Sequence, residues 1–164
     1  MSSVICSFRE ADHNSAAAIA SIYNQYVGRT TMDLEDKKAD YFQTFVLRKG
    51  DKEKLYIAEV EQQVAGYGII KQYSDRLGYQ YTAETSTYLD ESYTGKGIGS
   101  QLQQHLISEA KKLGLRHLVA KIWASNLGSI AFHERHGYQI VGTQRQIGFV
   151  NGEWKDVTIM ECLL

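Results

Sequence analysis

The chain has 164 residues, 43% hydrophobic and 23% charged, with a formal net charge of −1. That length and balance predict one soluble globular domain spanning 1–164, and the near-neutral charge supplies no basic field for nucleic acid. Cys6 and Cys162 lack metal-ligand spacing, no run of 18 apolar residues occurs, and MSSVICSFREADHN lacks a basic region followed by an apolar stretch. No metal site, no membrane partner and a cytoplasmic location are the resulting expectations.

SVICSFRE at the N-terminus alternates weakly and predicts a first strand. Asp12 can cap a helix through HNSAAAIASIYNQYV, whose Ala17, Ile19, Ala20, Ile22, Tyr23 and Tyr26 form one apolar face. A second helix, starting near Asp33 or Asp36, carries Tyr41, Phe42, Phe45 and Val46. KLYIAEVEQQVAGYGIIKQ reads as a hairpin turning at Glu61–Gln63, and TAETSTYLD as the next strand. An amphipathic helix follows over Ser100–Leu113, with Gly114 at its stop. HLVAKIW is a short apolar strand, and Asn126 caps a helix LGSIAFHERH that ends at Gly137. Strands over about Tyr138–Phe149 and Trp154–Leu163 close the chain. The order is β-α-α-β-β-β-α-β-α-β-β, an α/β mixture with one extended sheet.

The segment YTGKGIGS, between a strand and a helix, puts glycines at every second position. Such a unit presents free backbone N–H groups at a helix N-terminus, where the helix dipole favours an anion. The P-loop pattern fails because Lys96 precedes Gly97 and no glycine lies five residues before Gly95. The G-x-G-x-x-G dinucleotide pattern fails because Gly95, Gly97 and Gly99 are evenly spaced. A tight strand-to-helix turn is the plainer alternative.

Thr94–Gly99, read T-G-K-G-I-G, resembles the Q/R-x-x-G-x-G/A acetyl-CoA loop of the GNAT acetyltransferase superfamily, with Thr94 in the place of Gln or Arg. ASNLGSIAFHERHGY resembles the superfamily's N-x-x-A/S-x-x-x-[YFH]-x-x-x-GF/Y segment. AETSTYLDESYTGKGIGSQLQQHLI and GFVNGEWKDVTIMECLL resemble the phosphinothricin/methionine sulfoximine N-acetyltransferase branch, as does IYNQYVGRTTMDLE. The resemblance implies a GNAT fold, a mixed central β-sheet flanked by α-helices. It also implies a homodimer, and acetyl-CoA as co-substrate for acetylation of a small amino-acid-like amine. Acetylation of a polyamine, an aminoglycoside or a protein N-terminus on the same scaffold stays open, as does a non-catalytic acyl-CoA-binding module.

The resemblance also distributes roles. Backbone groups of Gly95, Lys96, Gly97, Ile98, Gly99 and Ser100 bind the pyrophosphate, and Asn126 touches the pantetheine arm. Thr87, Tyr88 and Leu89 lie beside the thioester, with the N–H groups near Tyr88 and Leu89 expected to hold its carbonyl oxygen if the strand end is splayed or bulged. Glu84 resembles the family's acidic residue and is the candidate base, through water; a solvent-facing or substrate-anchoring carboxylate is the alternative. His133 is the candidate acid for the thiolate, against a packing role. Tyr73, Arg76, Glu84, Thr85 and Ser86 form the expected substrate set, with Arg76 positioned to grip a carboxylate or phosphinate.

Overall fold

The computed structural model describes residues 4–164; Ser3, the first residue of the expected N-terminal strand, lies outside them. The elements are β1 (Ser7–Glu10), α1 (Ala16–Asn24), α2 (Ala39–Arg48), β2 (Lys54–Val60), β3 (Gln63–Gln72), β4 (Thr82–Leu89), α3 (Ile98–Lys112), β5 (His117–Trp123), α4 (Leu127–Arg135), β6 (Gln139–Val150) and β7 (Glu153–Leu163). Three single-turn 3-10 segments, before α1, before β4 and before α3, complete the list. The expected order of helices and strands is therefore the observed one. Asp12 closes a capping box with Ser15, but this starts a 3-10 turn that leads into α1. The second helix begins later than expected, at Ala39 with Lys38 as N-cap. Asp33 is instead held in the preceding loop by Tyr23 and Lys37.

The seven strands form one sheet in the order β1-β2-β3-β4-β5-β7-β6. All neighbours are antiparallel except β4 and β5, whose parallel pairing covers only Thr82–Glu84 against His117–Val119. Beyond that point β4 remains paired to β3 as far as Leu89, and β5 to β7 as far as Trp123. The two strands keep their outer neighbours and part from each other. This parting is what positions the site.

Apolar faces pack on both sides of the sheet. On one side α1 and α2 place Ile19, Ile22 and Phe42 against Leu55, Ile57 and Tyr67. On the other, α3 drives Leu106 and Ala110 onto Ile70, Leu118 and Met160. A Cβ on Gly68 would stand 2.8 Å from Leu106 Cδ1, so glycine there permits α3 to lie directly on β3. Leu102 and Leu106 are wholly buried, each contributing about 1.5–3 kcal/mol of transfer free energy. The β6–β7 hairpin turns at Asn151 and Gly152, both with positive φ (52° and 78°), the requirement of a type I′ turn. Its register shifts between Gln144 and Gly148, and the extra residues bend β6 toward the α1–α2 loop.

Candidate active site

Strand alternation distributes β4 between two spaces. Glu84, Ser86 and Tyr88 line a cavity of about 770 Å³ on the α1/α2 side of the sheet. Its other walls come from Tyr23 on α1 and the α1–α2 loop with Asp33 and Lys37, from Lys71 on β3 and Tyr73 just beyond it, from Val119, Lys121 and Trp123 on β5, and from the bent part of β6. The second space is the cleft between the parted strands, about 160 Å³, lined by Thr85–Leu89, Ala120–Trp123, Asn126, Ser129 and His133. Thr30, Ser86, Tyr88, Lys121 and Trp123 belong to both, so cleft and cavity adjoin.

The same alternation decides which backbone groups face the cleft. The Tyr81 carbonyl accepts from Arg116 and His117 at the start of β5, while the Asp90 N–H donates to Ala65 on β3. Odd-numbered residues of β4 therefore turn their N–H and C=O toward β5, and even-numbered ones toward β3. Where β5 has swung away, the amides of Thr87 and Leu89 have no strand to pair with among the described residues. The Tyr26 hydroxyl donates to the Leu89 carbonyl at 2.5 Å, replacing the missing strand on that side. This corrects the expectation for Tyr88, whose N–H belongs to the β3 ladder. It also corrects Thr85: its hydroxyl is buried and hydrogen-bonded to the Tyr138 hydroxyl at 2.7 Å, on the face opposite Glu84. Thr85 anchors the strand and touches the cleft, not the larger cavity.

The Glu84 carboxylate is 3.2 Å from Lys121 Nζ. Lys71 is its cross-strand neighbour on β3, and Asp33 and Lys37 pair at 3.1 Å on the far wall. Lys121 was not singled out from the sequence. The signal was available: a lysine inside HLVAKIW, a strand with neighbours on both sides, breaks a run that would otherwise be wholly apolar. Arg76 moves the other way. It caps the 3-10 turn Leu77–Tyr79 at the exposed end of the β3–β4 connection and is not among the residues lining the cavity. Sequence proximity to two site strands did not reveal that the connection turns outward.

Tyr88 stands at the junction, stacked on Tyr67 at 5.3 Å between centroids. Burial, reinforced by the Asp33 and Glu84 carboxylates, pushes its phenol up to about 12, so it stays protonated at neutral pH. The buried Trp123 indole N–H has no hydrogen-bond partner among the described residues. An unpaired donor in a wall shared by cleft and cavity suits a polar guest.

His133 is 6% exposed, and its Nδ1 lies 2.7 Å from the Ser129 carbonyl oxygen. A carbonyl only accepts, so the proton is on Nδ1 and the neutral ring keeps Nε2 as a lone pair. Burial holds the imidazole below its usual range, which favours that neutral form. The expected general acid is therefore, at neutral pH, a ring with its one proton already committed to α4. Asn126 caps α4 through Oδ1, accepting from the Ser129 N–H at 3.2 Å, and leaves its amide N–H₂ for the cleft it lines.

Beyond β4 the chain passes through a 3-10 turn into the glycine loop. Gly95 and Gly97 have positive φ, 74° and 78°, and Gly97 caps α3 without any side-chain hydrogen bond. The first α3 amides, of Ile98, Gly99 and Ser100, have no acceptor within the helix. The Ile98 side chain is fully buried, so only its backbone can serve a ligand. Thr94, in the place of Gln or Arg, caps the preceding turn by donating to the Glu91 carbonyl at 2.9 Å. Lys96 bends back to the Ser92 carbonyl at 3.0 Å. An uncapped helix N-terminus with glycines ahead of it fits a diphosphate, and the parted strands fit the arm that leads from it.

Residues 5–159 match the family described as Acetyltransferase (GNAT) domain. The chain belongs to the GNAT acetyltransferase family. GNAT acetyltransferases use acetyl-CoA. This chain is 35% identical to the L-methionine sulfoximine/L-methionine sulfone acetyltransferase of Pseudomonas aeruginosa, over 94% of its own length and 92% of the relative's. It is 31% identical to the phosphinothricin N-acetyltransferase of Streptomyces viridochromogenes, over 91% and 82%. Its fold superimposes on a phosphinothricin acetyltransferase from Sinorhizobium meliloti, solved in complex with acetyl-CoA, with a TM-score of 0.90 and 28% identity over 97% of this chain and 88% of that one. The GNAT fold thus accounts for the parted strands, the glycine loop and the α4 cap together.

Proposed function

We propose that this GNAT enzyme acetylates the amino group of a small amino-acid-like substrate of the methionine sulfoximine or phosphinothricin type. The observation that carries the reading is the junction itself. One strand places a carboxylate, Glu84, in the large cavity and turns two unpaired amides, Thr87 and Leu89, into the adjoining cleft. The names of the relatives support the substrate class.

Acetyl-CoA supplies an acetyl thioester open to attack by an amine. The amides of Ile98, Gly99 and Ser100 bind its pyrophosphate, and Asn126 orients the pantetheine arm. The Leu89 N–H, with Thr87 beside it, holds the carbonyl oxygen as negative charge develops there. Glu84 takes the amine proton. Thr87 and Leu89 lie three and five residues along the strand from Glu84, about 10 and 17 Å, so Glu84 reaches the reacting amine through water rather than directly. Tyr88, protonated and lining both cleft and cavity, offers a hydroxyl to the departing thiolate; His133 walls the cleft and holds the first turn of α4.

Release of free coenzyme A, followed across α-amino acids, methionine sulfoximine, phosphinothricin, polyamines, aminoglycosides and N-terminal peptides, tests the assignment. Turnover confined to the first three classes is expected. Turnover only with the others removes the substrate assignment, and none at all with tight acetyl-CoA binding leaves a binding module.

We also propose that the enzyme works in the cytoplasm as a homodimer, paired through the β6–β7 side. No described helix is long and apolar enough to cross a membrane. β6 is the edge of the sheet, and Ile140, Val141, Phe149 and Trp154 are each more than half exposed on this hairpin. An apolar edge strand of this length calls for a cover. Sedimentation should give a dimer that Trp154→Glu weakens; a monomer at micromolar concentration would discard the pairing.

A further inference from the structure

The cavity contains five charged side chains, and their pairing is uneven. On the far wall Asp33 and Lys37 satisfy each other at 3.1 Å, with Lys37 also over the Tyr41 ring. On the sheet, Lys71, Glu84 and Lys121 occupy three neighbouring strands with side chains on one face. Of these two lysines, only Lys121 is ion-paired among the described residues, at 3.2 Å from Glu84. It lies two residues past Val119, the register partner of Glu84, where β5 has already left β4. Lys121 thus lines both cavity and cleft, whereas Lys71 lines the cavity alone.

We propose that Lys121 is the residue by which this enzyme recognises the α-carboxylate of its substrate, the Glu84–Lys121 pair acting as a template for a zwitterion. The inference rests on the preceding assignment of an amino-acid-like substrate. An α-amino acid carries its ammonium and its carboxylate on the same carbon. Laid antiparallel on the pair, it puts its ammonium on the Glu84 side, where water bridges it to the carboxylate, and its carboxylate at Lys121, so opposite charges alternate around the contact. The side chains of Lys121 and Glu84 are 48% and 31% exposed, and a pair so open to water gives up little when it loosens to admit a guest. What forms instead is a charge-assisted contact at Lys121 and a water-bridged one at Glu84. Position also favours Lys121 over Lys71, since the amine must face the cleft and the carboxylate is attached one atom away. Arg76, exposed outside the cavity lining, does not compete.

The test compares one α-amino acid with its α-carboxamide, taken from the substrates the unaltered enzyme turns over. The amide keeps the amine and side chain and loses only the negative charge. In Lys121→Met the ratio of kcat/KM for acid over amide should fall about ten- to a hundredfold, mainly through KM for the acid. Lys121→Arg should keep the ratio within about threefold, because a positive charge is retained. An unchanged ratio in Lys121→Met overturns the proposal, as does a collapse in Lys71→Met with Lys121→Met unaffected. A general loss of stability would lower both rates and leave the ratio intact. If the unaltered enzyme accepts no α-amino acid, the functional assignment fails first, and the coenzyme A assay reports that separately.

Discussion

Glu84→Gln is expected to lower kcat by about 10²–10⁴-fold while leaving acetyl-CoA affinity nearly unaltered, the range typical of losing a general base. The substitution keeps the shape of the side chain and its place in the cavity. It removes the charge that Lys121 holds at 3.2 Å and the capacity to take a proton. The deficit should shrink as pH rises, because more of the substrate then arrives as free amine and needs no base. A pH series on this one variant separates three outcomes. A kcat loss that fades with pH marks a base. A rise in amine KM with kcat kept marks an anchor for the substrate ammonium. An unchanged profile would show that Glu84 is only part of the cavity wall. His133→Gln should cost much less, below about tenfold at neutral pH, because the one proton of the neutral ring is engaged in a hydrogen bond to the Ser129 carbonyl and a buried imidazole is charged only at lower pH. A loss at neutral pH as large as that of Glu84→Gln would restore His133 as the acid.

Gly97→Val is expected to weaken acetyl-CoA binding by tenfold or more, equivalent to about 1.4 kcal/mol or above. Gly97 is the N-cap of α3 at φ 78°, a conformation that costs an L-residue roughly 1–2 kcal/mol and a β-branched one more. The chain can relieve that strain only by turning the loop, which moves the first α3 amides away from the diphosphate. Gly97→Asn is the control, since asparagine tolerates left-handed torsions and should lose less. Gly99 differs again. It lies inside α3, and a Cβ there would meet Leu89 and Phe132 at ordinary contact distances of 3.5 Å and beyond. Gly99→Ala should therefore keep its affinity within about threefold. The thermal shift produced by saturating acetyl-CoA reads the series, because a ligand that binds only the native state stabilises it by mass action. Equal shifts in Gly97→Val and the unaltered protein would remove the loop from the cofactor site.

Much of this architecture is local and could be read along the chain. Alternation marked β4 and an apolar run marked β5, and Asp12, Asn126 and Gly114 punctuated helices where a cap or stop was physically required. The glycine loop announced itself because evenly spaced glycines ahead of an amphipathic segment serve neither core packing nor helix stability. These features depend on residues within one or two turns of each other. The start of α2 misled because Asp33 is also a good cap; its contacts with Tyr23 and Lys37 hold it in the loop instead.

Only the tertiary structure decided what surrounds the reacting groups. The parting of β4 from β5 depends on two strands separated by the whole of α3, and it alone frees the Thr87 and Leu89 amides. The face of each β4 residue follows from alternation, but which face meets the cavity is set by the layers of helices, so Glu84 and Thr85 could not be told apart in advance. The tautomer of His133 depends on one carbonyl a turn earlier in α4. Lys121 reaches Glu84 across 37 residues of chain because a parallel pairing sets their register, and Arg76, eight residues from Glu84, is carried outward by a turn. The sequence by itself determined the elements, the caps before α1 and α4 and the glycine loop, since each is held by short-range contacts. The charge pattern of the cavity was decided by packing between distant strands, where register, not proximity in the chain, brings side chains together.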